Sequence, residues 1–140
     1  MEKRMIYITN YDRKRLEELV ESCRLQEIGR EKQKLLNVLE ARLSRSRDVP
    51  WKEIKPTVVT MDSNVRLEKL DDNEKADYSL VFPEDENVFR NKISILSNMG
   101  ISLFGRSVND VIKTRTNEGI QRFVIISILY QPEANVSCSR

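Results

Sequence analysis

The order of hydrophobic periods in this chain predicts an α+β fold, a short N-terminal antiparallel helical hairpin followed by an antiparallel β domain with one short helix. Three observations predict it. Two stripes of helical period occupy the first 45 residues. The period changes to strand-like alternation beyond a Pro-flanked polar segment. The last third, Ile93 to Pro132, reads as strand, one helical turn, strand, hairpin, strand.

Ile6-Tyr7-Ile8 is an apolar strand lead-in, and Thr9 with Asp12 resembles a capping box with Asp in place of Glu. The first helix runs over roughly Tyr11 to Cys23, because Leu16, Leu19, Val20 and Cys23 fall at i, i+3, i+4 and i+7. Ile28-Gly29 interrupts the stripe. A second helix over roughly Arg30 to Arg45 carries Leu35, Leu36, Leu39 and Leu43 on one side. Stripes of similar length joined by a short bend fold back as an antiparallel pair, each arm on the order of 20–25 Å long.

Ser44 to Pro56 is polar, holds Pro50 and Pro56, and marks the expected division into residues 1–50 and 51–140. Trp51 within it is expected to plug the junction. Val58-Val59-Thr60-Met61 is β-rich, Asp62-Ser63-Asn64 is turn chemistry, and Val65-Arg66-Leu67 resumes alternation. Asp71 to Lys75 forms a second turn, Tyr78 to Phe82 a strand stopped by Pro83, and Pro83 to Asn91 an acidic loop. Ile93 to Leu96 is a strand, and Ser97-Asn98 starts a helical turn that Gly105 ends. Asp110 to Thr116 is a strand, Asn117-Glu118-Gly119 a hairpin turn and Ile120 to Tyr130 a long apolar strand. The count is five or six strands, mostly antiparallel.

Composition excludes several chemistries. Histidine is absent from all 140 residues, which removes the usual general base and the commonest metal ligand. Without it no ordinary serine triad forms. The two cysteines, Cys23 and Cys138, make no CxxC pair; Cys23 belongs to an apolar stripe and reads as a packed thiol. Glycine 100 and Gly105 lack the following Lys-Ser/Thr of a phosphate loop. The acidic run Glu84-Asp85-Glu86 lacks the glycine of a calcium loop and reads as surface. No apolar run is long enough to span a membrane, and the N-terminus is too short and mixed for a signal peptide. No cofactor or metal is expected, and a reduced cytoplasmic setting fits the cysteine usage.

Net charge is +2. Met1 to Pro56 carries 14 basic and 10 acidic residues, and Thr57 to Arg140 carries 10 and 12. This falls short of the basic face of a nucleic-acid-binding domain, so no direct sequence-specific nucleic acid is expected and a protein partner is favoured. The helical bend is locally basic, with Arg24, Arg30, Lys32 and Lys34 against Glu27 and Glu31. It is either an ordinary connection or a tip that touches a partner.

Four segments together resemble the C-terminal domain of the Gre factors: Val58 to Val65 (VVTMDSNV), Leu80 to Pro83 (LVFP), Gly100 to Asp110 (GISLFGRSVND) and Leu129 to Ala134 (LYQPEA). Their closest likeness is to the Rnk branch, the regulators of nucleoside diphosphate kinase. The resemblance implies an FKBP-like β domain without prolyl isomerase activity, and binding to bacterial RNA polymerase at the rim of its secondary channel. Gre factors hold a catalytic magnesium on an acidic Asp-x-x-Glu-Asn tip. The tip here contains Glu27, Gly29, Arg30 and Glu31 on a much shorter hairpin, which implies no metal and no catalytic residue. The Gre loop ahead of the short helix, an Asp-Ser-Pro pattern, touches polymerase. It maps to Leu96, Ser97 and Asn98, of which Ser97 keeps the residue type, so Ser97, Asn98, Met99 and Gly100 are the expected contact loop.

The expectation is therefore a non-enzymatic, monomeric regulator that competes with Gre-type factors. Two alternatives stand beside it. One is a true cleavage factor with Glu27 and Glu31 as ligands. The other is a regulator acting on a different protein, linked to nucleoside diphosphate kinase.

Overall fold

The computed structural model describes residues 6–134. Strand β1 (Tyr7–Thr9) leads directly into helix α1 (Asn10–Arg24), and helix α2 (Arg30–Arg45) returns to strand β2 (Arg47–Val49). Thr9 caps α1, its hydroxyl accepting from the Asp12 N–H at 3.1 Å. Only half of the expected capping box takes that form. The Asp12 carboxylate is fully buried and accepts from the Met61 N–H at 3.1 Å, 49 positions along the chain.

The polar segment after α2 is more ordered than its composition suggested. Strand β2 pairs in parallel with β1, matching Tyr7 to Arg47, Ile8 to Asp48 and Thr9 to Val49. The strand lies where no apolar alternation announced it, because its pairing with β1 supplies the order. A 3-10 turn over Trp51–Glu53 follows. Trp51 is half-buried and stacks under the Lys52 ammonium at 5.5 Å; the buried side chain of this segment is Ile54. Trp51 is thus only partly enclosed, and Ile54 is the buried side chain beside it.

Residues 58–61 do not form a strand, contrary to their β-rich composition. They make a buried irregular strap. Val59 exchanges hydrogen bonds with Gly105 and Arg106, Thr60 N–H donates to Ser63 Oγ, and Met61 N–H is taken by Asp12. Tertiary partners satisfy these groups, so no ladder is needed. The strap ends at Asp62, whose φ of 67° fits the turn chemistry there.

Five strands then form one curled sheet in the order β5-β4-β3-β7-β6. They are β3 (Asn64–Lys69), β4 (Lys75–Val81), β5 (Lys92–Ser94), β6 (Val111–Thr116) and β7 (Gly119–Tyr130). The β3–β4, β3–β7 and β6–β7 pairs are antiparallel, and β4–β5 is parallel. The sheet is therefore mixed but mostly antiparallel. Short helix α3 (Asn98–Leu103) packs against it, started by Ser97, whose hydroxyl accepts from Gly100 N–H at 3.0 Å. Gly105 follows with φ +80°, as a helix-ending glycine requires.

One continuous core joins the hairpin to the sheet. Leu16, Leu36 and Leu39 are fully buried together with Met61, Leu80, Ile95 and Ile125. Polar ties reinforce it: Arg15 lies 4.2 Å over the Phe82 ring and 3.3 Å from Asp62, and Arg42 donates to the Ile101 carbonyl at 2.7 Å. Arg13 also grips Ser46 and Asp48 at the base of the hairpin. A shallow groove is lined by Leu19 and Ser22 of α1 and by Phe82 and Asp85 of the β domain. The base of the hairpin is thus tied to the β domain through Asp12, Arg15 and Arg42, and its bend lies at the far end from these ties.

Candidate functional site, a docking loop and a hairpin tip

The contact loop expected from the sequence sits where β5 gives way to α3. Its four residues serve unequal purposes. Ser97 is half-buried and caps α3, and its own hydroxyl donates to the Ser94 carbonyl at 2.6 Å. Met99 packs against the core. Gly100 is buried, and a Cβ placed on it would lie 2.0 Å from the Ser94 carbonyl oxygen. Asn98 is the exposed member. Leu96, at the family's acidic position, is buried at 8% exposure and faces the core instead of a partner.

At the hairpin tip, Glu27, Gly29, Arg30 and Glu31 are all exposed, and Leu25 beside them is 86% exposed. Ile28 turns inward against the core. Arg24, counted with the basic tip, is held on the hairpin wall by Glu40 and Asn37. The tip that remains carries Arg30, Lys32 and Lys34 with Glu27 and Glu31. Among the described residues no three His, Cys, Asp or Glu side chains come together as metal ligands. The tip and the Ser97 to Gly100 loop are not brought into one cluster; the core and the Arg42–Ile101 tie hold them on a common frame.

Two features escaped sequence reasoning. Phe89 is 99% exposed and Val88 74%, on a 3-10 turn at the start of β5, behind the exposed Glu84, Asp85 and Glu86. An aromatic pair with Val between Asn87 and Asn91 was the available signal. The second feature is a cleft of about 770 Å³ between the base of the hairpin and the β domain, lined in part by Arg42, Lys55 and Arg106. None of the expected contact residues lines it. Burial first, and the nearby Arg106 charge second, lower the pKa of Arg42 below the ordinary guanidinium value. No sequence pattern marks it, because its cations come from α2, the segment ahead of the strap and the segment after α3.

The segments that carried the resemblance prove to be folding determinants. In LYQPEA, Gln131 donates to the Lys55 and Val58 carbonyls at 2.8 and 2.7 Å, and Glu133 accepts from the Thr60 hydroxyl at 2.8 Å. They clamp the VVTMDSNV strap to the end of β7. In GISLFGRSVND, Gly100 fits against Ser94 and Gly105 lies under the Ile6 side chain.

Known proteins share this arrangement. The family model described as "Transcription elongation factor, GreA/GreB, C-term" matches residues 54–130. The structure of a prokaryotic transcription elongation factor GreA/GreB from Nitrosomonas europaea superposes with a TM-score of 0.76 at 35% identity, covering 89% of this chain and 99% of that one. The transcription elongation factor GreA of Syntrophus aciditrophicus is 31% identical over 97 residues, which is 69% of this chain and 60% of that protein. The chain thus spans about three fifths of that relative's length. The regulator of nucleoside diphosphate kinase of Escherichia coli K12 is 27% identical over 135 residues, 96% of both chains. On the extent of the family match and the shared fold, the chain belongs to the GreA/GreB transcription elongation factor family.

Proposed function

We propose that this protein is a non-enzymatic transcription regulator of the bacterial cytoplasm that binds RNA polymerase near its secondary channel and competes there with Gre-type elongation factors. The observation that carries the reading is the hairpin. Its helices have 15 and 16 residues, and its base is tied to the β domain through Asp12, Arg15 and Arg42. Each arm is therefore on the order of 20–25 Å long in all, and less than that stands clear of the β domain. Such a tip occupies a channel mouth without reaching a deep catalytic centre. Its Arg30, Lys32 and Lys34 disfavour a hard cation, which wants clustered oxygen ligands. The E. coli relative that matches at full length, a regulator by name, supports the same reading.

In this reading the β domain, residues 51–140, docks and the hairpin, residues 1–50, blocks. Asn98 makes the polar contact, and Ser97, Met99 and Gly100 hold it in place. Phe89, at the other end of β5, extends the docking face as an apolar anchor. A monomer suffices for this role.

Binding of the purified chain to core polymerase, followed by displacement with a GreA protein, tests the proposal. Micromolar binding with mutual displacement is expected. Absence of binding overturns it, and binding without displacement points to a different target surface. Addition to backtracked elongation complexes separates the cleavage-factor reading: magnesium-dependent cleavage that is lost in Glu27→Ala would replace the present one.

A further inference from the structure

We infer that the cleft between the hairpin base and the β domain is a binding site for a phosphorylated small molecule of nucleotide size. Its volume, about 770 Å³, lies in the range of roughly 300–1,000 Å³ that encloses whole organic ligands, far above what a single phosphate fills. Four cations face it, Arg42, Arg45, Lys55 and Arg106, against the carboxylates of Glu53 and Asp110. The Asp110 carboxylate is engaged by the Ser107 N–H at 2.9 Å.

Three further observations point to an anion. Arg42 and Arg106 make no ion pair among the described residues; each donates to a backbone carbonyl, of Ile101 and Val111 respectively. The Nε of Arg106 is buried, and among the described residues it has no hydrogen-bond partner. Arg106 also sits close enough for its charge to act on Arg42. Two partly buried guanidinium groups that share a cleft and are ion-paired to no described carboxylate repel each other, and an oxyanion between them removes that cost with charge-assisted, bidentate hydrogen bonds. The lining also supplies apolar surface beside these cations, from Ile54 and Val58 on either side of Lys55 in the chain and from the Ile6 side chain over Gly105. An anionic head with an apolar ring is the chemistry of a nucleotide, so the phosphates are assigned to Arg42 and Arg106 and the ring to the Ile54–Val58 wall.

The site is independent of polymerase binding and is tested on the full chain alone, by calorimetric titration with ADP and with pyrophosphate and by amide shifts in NMR spectra. Saturable ADP binding is expected, with shifts at Lys55 and at Gly105 to Ser107. Pyrophosphate should bind more weakly by about tenfold or more, for want of the apolar contacts. Arg106→Gln should weaken ADP by about tenfold or more, and Lys55→Gln, an exposed position, serves if that variant folds poorly. Arg122→Gln, an exposed cation on β7, should bind as the wild type does. No saturation at millimolar ADP overturns the inference. Equal affinity for ADP in the cleft variants overturns it as adventitious charge attraction, and pyrophosphate binding as tightly as ADP overturns the nucleotide assignment.

Discussion

The carboxylate of Asp12, in the first turn of α1, accepts a hydrogen bond at 3.1 Å from the backbone N–H of Met61, and both residues are fully buried. The contact fixes the hairpin to the strap that precedes the sheet. It also satisfies an N–H that the irregular backbone at 58–61 leaves outside any ladder. Hydrogen bonds to a charged acceptor contribute roughly 1.5–3 kcal/mol, and a buried N–H left without a partner is costly. Asp12→Ala is therefore expected to lower unfolding free energy by about 2–3 kcal/mol, with Asp12→Asn, which keeps an acceptor oxygen, milder. Urea titration followed by circular dichroism checks both; an Asp12→Ala midpoint equal to that of the wild type would refute the role.

Gly100 is the tightest position in the candidate loop at Ser97 to Gly100. A methyl group there meets the Ser94 carbonyl oxygen at 2.0 Å, and the obstacle is backbone, which cannot swing aside as a side chain does. Gly100→Ala is expected to cost about 3 kcal/mol, at the upper end for overpacking, and to loosen α3 from β5. Thermal unfolding gives the stability, and amide exchange at Ile101 and Leu103 reports whether the loss is local.

Asn98 and Phe89 are expected to behave in the opposite way. Both are exposed and neither is part of the core, so Asn98→Ala and Phe89→Ser should change stability by no more than about 0.5 kcal/mol. If the loop and turn dock on polymerase, each substitution should weaken that binding by roughly 1–2 kcal/mol. Surface plasmon resonance on immobilised core enzyme measures this. Unchanged affinity in both variants would move the docking surface elsewhere on the chain.

Two exposed carboxylates give the acid limb of stability a defined sign. The hydrogen bond from Arg66, and secondarily its charge, holds Asp77 below its ordinary value of 3.8. A hydrogen bond from Gln121, then the charge of Lys69, does the same for Glu118 below 4.5. A depressed folded pKa contributes stability above the unfolded value and loses it as pH falls through the folded value. Melting temperature should thus fall below about pH 4. An Asp77→Asn, Glu118→Gln double variant should be slightly less stable than the wild type near neutrality and converge with it in acid. Both pairs are exposed and screened, so the effect is small and should shrink further in high salt.

The local grammar of the fold was legible in the chain. Thr9, Ser97, Gly105 and Gly119 act through their own conformations and nearest neighbours, so the cap, the helix start and the two positive-φ stops followed from residue type. The stripes Leu16–Val20 and Leu36–Leu39–Leu43 fixed which helical faces turn inward. The failures share a cause. Residues 58–61 look like a strand because Val and Thr favour strands, yet Asp12, Arg106 and Gln131 hold them as a strap from distant positions. Strand β2 and Ile54 were hidden in a polar segment for the same reason.

For the candidate contact residues, sequence proposed the loop and the tip but could not say which side chains are exposed. Ser97 and Gly100 are identified by type and Asn98 by exposure, and only packing against Ser94 and the core separates the supports from the exposed contact. The periods of the two hairpin helices and the caps at Thr9 and Ser97 depend on neighbours within a few residues, so the sequence alone determined them. The docking of the hairpin base on the sheet domain, the exposure of Phe89 and the gathering of Arg42, Lys55 and Arg106 around one cleft depend on burial and charge summed across the whole chain. Those the tertiary structure alone decided.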